Sequence, residues 1–573
     1  MTTTTDATTA KPATNYGTEF AKPGPGSWTL DTGHFSADSS RICQDMITVG
    51  CTGGTAEGFA MVGAPVKHLA AGFARGRFYT SIVPLVGGGT NLPTPPAPVL
   101  WLATRVAPPF RKAEKIAQSA IDGRVWMDEY QRWIDEWRPQ LIGDWTRLTA
   151  VNPTLLSDDE LADHLDELVE LSTKSTALHF RLHVSDLGPV GLLLVRAREW
   201  GLGASDVMMT LSGHSPATNA PAEAMAELRN VIAEANATPT TLDDVREISD
   251  TASSMLDSFL DEFGWRLTTG YDIRALTLRE MPEAILATLT APANSDAADG
   301  SNEQAKIAGE AALDALRSKV PSSDVAELEE LVGDARALYG LRDENGPLTY
   351  QWPAGLIRRA VLEVSGRLDS KGQLPADSTQ PNDAVFDLSG AEMSALLRGG
   401  SGPTIETISA RVAERRHNMT LEAPETLGRV EDDPPLWTMP PNLGKLMDII
   451  LTVMDLIEMD THAVGELAGY GVGNEVITGT ACVVSDAGDA AMRLEPGDIL
   501  VAPYTVPTYN AVLAIAGGIV TDGGGLLSHA AVIAREYGIA GVVGVGAATT
   551  QIPDGATVEV DPKNGRVKIL DLA

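Results

Sequence analysis

The sequence predicts a multidomain chain in which a large, mainly α-helical region precedes a small α/β domain. Three observations lead there. A length of 573 residues has room for about three or four domains at roughly 100–200 residues each. From about Pro109 to Pro292 apolar residues return again and again at helical spacing. From about Ala468 onward the composition shifts to Gly, Val and Ile in short runs broken by tight turns.

Taken in order, residues 1–22 read as a flexible tail of Thr, Ala and Lys without periodicity. Residues 23–421 form the large region. Its first part, to about Leu102, is rich in Gly and Pro and reads as irregular α+β structure with short apolar runs such as Phe78–Val86. Ser157, followed by Asp158, Asp159 and Glu160, opens a long helix reaching about His183, with an N-cap hydroxyl and acids where the helix dipole favours them. Pro221–Ala235 and Leu242–Phe263 are further amphipathic stretches. Residues 293–302 are a polar loop, after which helical patterning resumes over 303–319, 323–339, 353–368 and 390–398. Residues 422–467 read as a linker and a helix: Pro424, Pro434, Pro435, Pro440 and Pro441 stand in acidic context, and an amphipathic helix over about Leu443–Met459 follows. Residues 468–573 are the α/β domain, in which Thr557–Val560 and Arg566–Leu570 pair as a hairpin around Asn564-Gly565.

Charge excludes some functions. With 43 Lys and Arg against 77 Asp and Glu, the net charge of −34 argues against a surface made for nucleic-acid phosphates or anionic membranes. A small anion can still be held by clustered backbone N–H groups. Cys43, Cys51 and Cys482 are too few for a disulfide framework and form no C-x-x-C pair. The amino terminus lacks the apolar core of a secretory signal, and the apolar run Leu446–Ile457 is too short for a bilayer, which needs about 20 residues. The expectation is a soluble, cytoplasmic protein.

The sharpest chemical signal is Gly518-Ile-Val-Thr-Asp-Gly-Gly-Gly-Leu-Leu-Ser-His529, followed by a helix that stops at Gly538. Gly518–Thr521 reads as a buried strand. Gly523, Gly524 and Gly525 permit a tight turn close to a ligand. Ser528 is an N-cap, and His529 enters the first turn of the helix, beside unpaired N–H groups. That setting disfavours an imidazolium and suits a neutral imidazole that accepts a phosphoryl group.

These residues resemble the phosphohistidine swivelling domain of the phosphoenolpyruvate-utilising enzymes. Thr521, Gly524, Gly525, Ser528, His529, Ala531, Ala534, Arg535 and Glu536 match that pattern, as does Gly497–Tyr504 upstream. Ala540 stands where the family has proline, and Val506-Pro-Thr-Tyr509 departs from its acidic-Pro-aromatic stretch. The resemblance implies that His529 is phosphorylated, with Thr521, Gly523, Gly524, Gly525 and Ser528 cradling the phosphoryl group.

Upstream, Gly24–Trp28, Asp31, His34-Phe35, Leu211-Ser-Gly213, Phe263-Gly264, Arg266, Tyr271–Ile273, Arg279-Glu280-x-Pro282 and Asp383–Leu388 resemble, in order, the acceptor-binding region of rifampin phosphotransferase. The sequence carries no Gly-x(4)-Gly-Lys-Ser/Thr loop and no βα repeat after the carrier. By resemblance to two-subunit aryl kinases of the phenylphosphate synthase and hydroxyphenyl ketone kinase type, ATP and Mg2+ are expected on a separate ATP-grasp subunit and not on this chain. The phosphoryl group would pass through His529 to a hydroxyl, phenolic by that analogy, releasing AMP and phosphate. The alternatives are a split rifamycin-type antibiotic phosphotransferase and a phosphocarrier or regulatory protein without its own acceptor.

Candidate acceptor-site residues are His34, His179, His183, His214, Arg266 and Arg279. His179 and His183 share one helical face at i,i+4, as a proton-handling pair, a metal half-site or packed residues. No third ligand is evident and no metal is expected. His34 lies in the Trp28–Phe35 segment and His214 in a turn. Arg266 and Arg279 could fork onto phosphoryl oxygens or pair with neighbouring acids. Trp101, Trp126, Trp133, Trp137 and Trp145 could line an aryl pocket or fill the core.

Overall fold

A computed structural model of the chain describes residues 17–87, 95–290, 301–376, 382–429, 434–458, 467–473, 475–513 and 515–572. Of the sequence expectations, the tail over 1–22 lies outside the described residues as far as residue 16, and the loop over 293–302 as far as residue 300. Residues 430–433 and 459–466 of the expected linker lie outside them too.

The helical region is built around one helix, Asp158–Glu199, of 42 residues. Ser157 caps it in a full capping box with Glu160. The helix runs past the expected end near His183 and through Pro189, because its second half is buried along Leu192–Val195 against neighbouring helices. Burial of that apolar stripe outweighs the hydrogen bond that a proline removes.

The reading of 23–102 as irregular is corrected. It holds a 22-residue helix, Arg41–Val62, and an antiparallel sheet. Strands β1 (Trp28–Asp31), β2 (Val66–Ala74) and β3 (Arg77–Pro84) join β4 (Thr426–Leu427) in the order β2-β3-β1-β4. Glycines hid the helix from propensity reasoning. A Cβ on Gly54 would lie 1.9 Å from the Ala177 carbonyl oxygen, and one on Gly50 2.5 Å from Thr176 Cγ2. The glycines let two backbones touch, and the contact outweighs their poor helix propensity. β4 also corrects the linker reading: Leu427 pairs with Trp28, so part of the Pro-rich stretch closes the first sheet.

Two other boundaries move. Leu242–Phe263 is two helices, Leu242–Ile248 and Asp250–Phe263. Ser249, extended at φ −169°, caps the second through Ala252 N. Val325–Gly346 runs on through a π turn, Pro347–Gln351, into Trp352–Ser370. The tryptophans are mainly core: Trp133 and Trp145 are fully buried, and their indole N–H groups donate to Glu344 and to the Leu348 carbonyl, both at 2.8 Å. Trp137 lies under Arg132 and Arg181, and Trp101 is exposed. All three cysteines are buried free thiols. No helix among the described residues is long and apolar enough to cross a membrane.

Among the described residues the carboxy-terminal α/β domain has seven strands: β5 (Tyr470–Val472), β6 (Ile477–Val483), β7 (Ile499–Ala502), β8 (Gly518–Thr521), β9 (Ala540–Val543), β10 (Thr557–Asp561) and β11 (Arg566–Asp571). Their order is β11-β10-β6-β7-β8-β9-β5. The centre, β6 to β9, is parallel, which explains why β7, β8 and β9 are buried throughout. Antiparallel β5, β10 and β11 close the edges. The domain is seated on the helical region, and one apolar core runs through both, from Leu193 and Tyr339 to Leu526 and Ile533.

Candidate functional site

Parallel strands deliver their carboxyl-end loops to one edge of a sheet, where open α/β folds bind ligands. β7 and β8 are neighbours in register, Ala502 beside Thr521. The loop after β7 therefore meets the loop after β8. The first carries Thr505, Thr508 and Asn510; the second is the glycine turn that leads to His529.

His529 is the first residue of the helix His529–Tyr537, which Ser528 caps and Gly538 ends at φ 65°. Gly524 is a glycine by necessity: its φ is 102°, and a Cβ there would lie 2.7 Å from Ser528 Cβ. Gly523 has ordinary room, its would-be Cβ lying 3.7 Å from the Pro503 carbonyl oxygen. The Thr521 hydroxyl is buried and donates to the Gly523 carbonyl at 2.9 Å. Gly525 accepts Ser528 N–H at 2.9 Å. In this pose Thr521, Gly523, Gly524, Gly525 and Ser528 build the turn.

The groups that touch the imidazole come from the other loop. Thr505 Oγ1 lies 2.7 Å from His529 Nδ1, and Asn510 Oδ1 lies 2.8 Å from Nε2. Burial, with Arg266 and Arg342 nearby, pushes His529 down to about 3, so the ring is neutral. Both arginines belong to the helical region. Arg266 is buried and held down to about 10 by that burial. Arg266 Nε and Arg342 Nη1 are buried N–H groups without a hydrogen-bond partner among the described residues. Two guanidinium groups with unused donors beside a neutral histidine form an anion-ready site.

Arg342 also acts electrostatically on Tyr271 and His179, which links His529 to a second cluster. There Asp31 holds His34: Asp31 Oδ2 lies 2.7 Å from His34 Nδ1, and Oδ1 accepts the backbone N–H groups of Gly33 and His34 at 3.0 Å. The carboxyl of Asp31 stays below its usual range: burial raises it, but His34 and these N–H groups lower it further. The His34 ring is half-exposed and packs at 5.0 Å on Tyr271. Tyr504, in the loop after β7, reaches the same turn, where a Cβ on Gly270 would lie 3.0 Å from the His34 carbonyl oxygen and 3.7 Å from Tyr504 Oη.

His179 and His183 are brought together with Asp186. Thr349, on the π turn, donates to the Asn345 carbonyl at 2.6 Å, so its oxygen accepts from His179 Nδ1 at 3.1 Å. His179 Nε2 then carries a lone pair and accepts from His183 Nε2 at 3.1 Å. His183 Nδ1 faces Asp186 Oδ2 at 3.1 Å. Burial, with His183 nearby, holds His179 well below the usual histidine range. Among the described residues no three His, Cys, Asp or Glu side chains converge as a metal site.

The other two candidates stand elsewhere. His214 donates Nδ1–H to the Ser212 carbonyl at 2.9 Å and titrates beside Arg336 and Glu310. Arg279 pairs with Asp261, bonds the Leu260 carbonyl and stacks on Trp265, so it serves local structure. Sequence reasoning missed Asp31, Asp186, Arg342, Thr505 and Asn510 as site residues. Asp31, three residues before His34, and Asp186, three residues after His183, were the two with a local signal.

The two regions share specific hydrogen bonds. Asn510 Nδ2 donates to the Thr218 carbonyl at 2.9 Å, Thr508 Oγ1 to the Leu267 carbonyl, and Gly213 N–H to Glu536 Oε1 at 3.1 Å. Arg535 donates to Tyr339 Oη at 2.9 Å. Burial, with Asp343 nearby, pushes Glu536 up to about 7. Beside this interface a mostly apolar cleft of about 10 Å³, room for about one water, is lined by Met225, Phe259, Met281, Ile285 and Val512.

Comparison with known proteins agrees with this architecture. Residues 494–565 match the mobile domain of the PEP-utilising enzymes, and residues 197–343 match the rifampicin phosphotransferase fourth domain. The second match holds Arg266 and Arg342. A rifampicin phosphotransferase of Streptomyces sp is 28% identical over 327 residues, which is 56% of this chain and 35% of that protein. An uncharacterised phosphotransferase of Bacillus subtilis is 36% identical over 115 residues, 20% of this chain and 14% of that protein. A phosphoenolpyruvate synthase of Aeropyrum pernix is 44% identical over 92 residues, 16% of this chain and 11% of that protein. The chain thus spans about a third or less of the length of these relatives. The likeness to the PEP-utilising enzymes is thus carried by residues 494–565 and that to rifampicin phosphotransferase by residues 197–343.

Proposed function

We propose that the chain is a phosphotransferase that carries a phosphoryl group on His529 and delivers it to a hydroxyl of a small molecule bound by the helical region. The observation that carries this reading is the pairing of a neutral, buried His529 with the unused N–H donors of Arg266 and Arg342 across the domain interface. A neutral imidazole is the nucleophilic form. Guanidinium donors from the opposite domain would stabilise the charge that develops as the phosphoryl group moves.

In the delivery step the P–N bond breaks and a P–O bond forms to the acceptor. The acceptor hydroxyl loses its proton and the ring nitrogen gains one. Asp31 holds the Nδ1–H of His34, so that Nε2 is the basic nitrogen, the arrangement in which a carboxylate sets the tautomer of a general base. The His179–His183–Asp186 chain is a second place for that proton. ATP and Mg2+ are assigned to a separate ATP-grasp subunit, which would charge His529 and release AMP and phosphate. We assign the acceptor as a phenol by analogy with two-subunit aryl kinases. A rifamycin-type acceptor is the second reading, favoured by the fourth-domain match over residues 197–343.

The test is charging with radiolabelled phosphoramidate, a small-molecule phosphoryl donor, and with β-labelled ATP plus the partner. Wild type should take up acid-labile, base-stable label, and His529→Ala should take up none. Label retained in His529→Ala would overturn the assignment. Discharge of charged protein by a panel of phenols against rifamycins separates the two acceptor readings.

A further inference from the structure

We propose that Asn510 is a positioning residue that receives the spent His529 as its Nε2–H tautomer, and does so only while the mobile domain is docked on Thr218. The proposal rests on the phosphohistidine reading above and goes further, to the direction of transfer.

The hydrogen-bond directions follow from the partners. The Thr218 carbonyl can only accept, so the Asn510 amide nitrogen is the atom facing it, at 2.9 Å. The Asn510 carbonyl oxygen therefore faces His529, at 2.8 Å, and there Nε2 must be the donor. A neutral ring has one N–H, so its lone pair is on Nδ1, where the Thr505 hydroxyl donates at 2.7 Å. Neither nitrogen presents an open lone pair. A phosphoryl group on Nε2 would set its oxygens against Asn510 Oδ1, acceptor against acceptor. One on Nδ1 would displace the Thr505 hydroxyl. The pose fits the ring after delivery: the P–N bond has broken, the phosphoryl group has left with the acceptor oxygen, and Nε2 holds the proton it gained.

What makes this conditional is where the anchor lies. Thr505, Asn510 and His529 belong to the mobile domain, whereas Thr218 belongs to the helix Pro216–Glu234 of the other region. Its carbonyl also receives Tyr537 Oη at 3.3 Å. Among the described residues the Asn510 side chain has two hydrogen-bond partners, Thr218 and His529. When the domain swings away, the amide loses the partner that orients it and can turn its NH2 toward the ring. Nε2 would then carry its lone pair, the form that accepts a new phosphoryl group. Docking thus disfavours recharging from the product, and undocking restores the nucleophile.

The experiment is 15N NMR of the full chain labelled at histidine, with the His529 signals identified by their loss in His529→Ala. Unphosphorylated wild type should show Nε2 protonated and Nδ1 unprotonated. Asn510→Ala should give a mixture of tautomers and charge from phosphoramidate about three- to tenfold faster than wild type, the scale of one hydrogen bond. Asn510→Asp, which keeps an acceptor oxygen but cannot donate to Thr218, should lose the dependence on docking. A wild-type Nδ1–H tautomer, or an unchanged tautomer in Asn510→Ala, would overturn the proposal while leaving phosphorylation of His529 standing. Failure of wild type to take label from both phosphoramidate and ATP with partner would overturn both. The wild-type tautomer is decisive even if a variant does not fold.

Discussion

His529 and the His179–His183 pair are two histidine sites made by opposite means. His529 touches Thr505 from its own domain and Asn510, whose orientation is set from the other region. His179 and His183 sit on the Asp158–Glu199 helix and bond to each other, to Asp186 on the same helix and to Thr349 on a packed π turn. The first network can be taken apart by a rigid-body swing; the second stays whole. The difference teaches that a histidine whose partners are drawn from two regions can have its hydrogen bonds changed by a movement between them, whereas a pair whose partners lie within one scaffold keeps its own.

The largest effect is expected at a third histidine, His34, whose partner Asp31 also lies within the helical region. Asp31→Asn removes the carboxylate that sets His34, so discharge of phosphorylated protein to its acceptor should fall about 10²–10⁴-fold. Charging of His529 should be unchanged, since that reaction does not use the acceptor base. Equal loss in both half-reactions, followed with labelled protein, would remove His34 from the base role.

Arg342 acts on both histidine sites. Arg342→Met should slow discharge about 10²–10³-fold, as loss of one transition-state donor does, and should let the His529 pKa rise from about 3. Single-turnover discharge and a histidine titration read the two effects. A slowed discharge with no change in titration would separate Arg342 from His529.

The smallest effect is on docking. Burial and Asp343 push Glu536 from about 4.5 up to about 7. The docked state thus holds a proton that the exposed carboxyl gives up. Docking weakens as pH rises through that interval, by up to about tenfold per unit, and reaches its floor above it. His529 has the reverse sign: its lowered pKa weakens docking as pH falls below 6.5. Energy transfer between dyes at exposed Leu155 and Val476 should trace a docked fraction that is level where the two opposite slopes cancel and falls on either side, and Glu536→Gln should remove the alkaline fall and bring the start of the acid fall up to about 6.5. An unchanged alkaline limb would assign it to Asp343, whose pKa burial also raises.

Legibility followed the range of the forces involved. Ser157 with Glu160, Ser528 with Gly538, and the hairpin around Asn564-Gly565 could be read because each is satisfied within a few residues. The helix Arg41–Val62 could not, because Gly50 and Gly54 are there for the Thr176 side chain and the Ala177 backbone, more than a hundred residues away. Arg279 offered the same guanidinium as Arg266, and only packing separates one held by Asp261 from one with an unused donor.

By itself, then, the sequence determined the helix-to-α/β order, the glycine turn and the place of His529 at the start of a capped helix, since caps, turns and strand periodicity act locally. The tertiary structure alone decided which groups meet that histidine. Thr505 arrives because β7 lies beside β8, Arg266 and Arg342 because two regions share one core, and Asn510 because the Thr218 carbonyl turns its amide. Hydrogen-bond direction and burial depend on what lies across the interface, and sequence spacing carries no record of it.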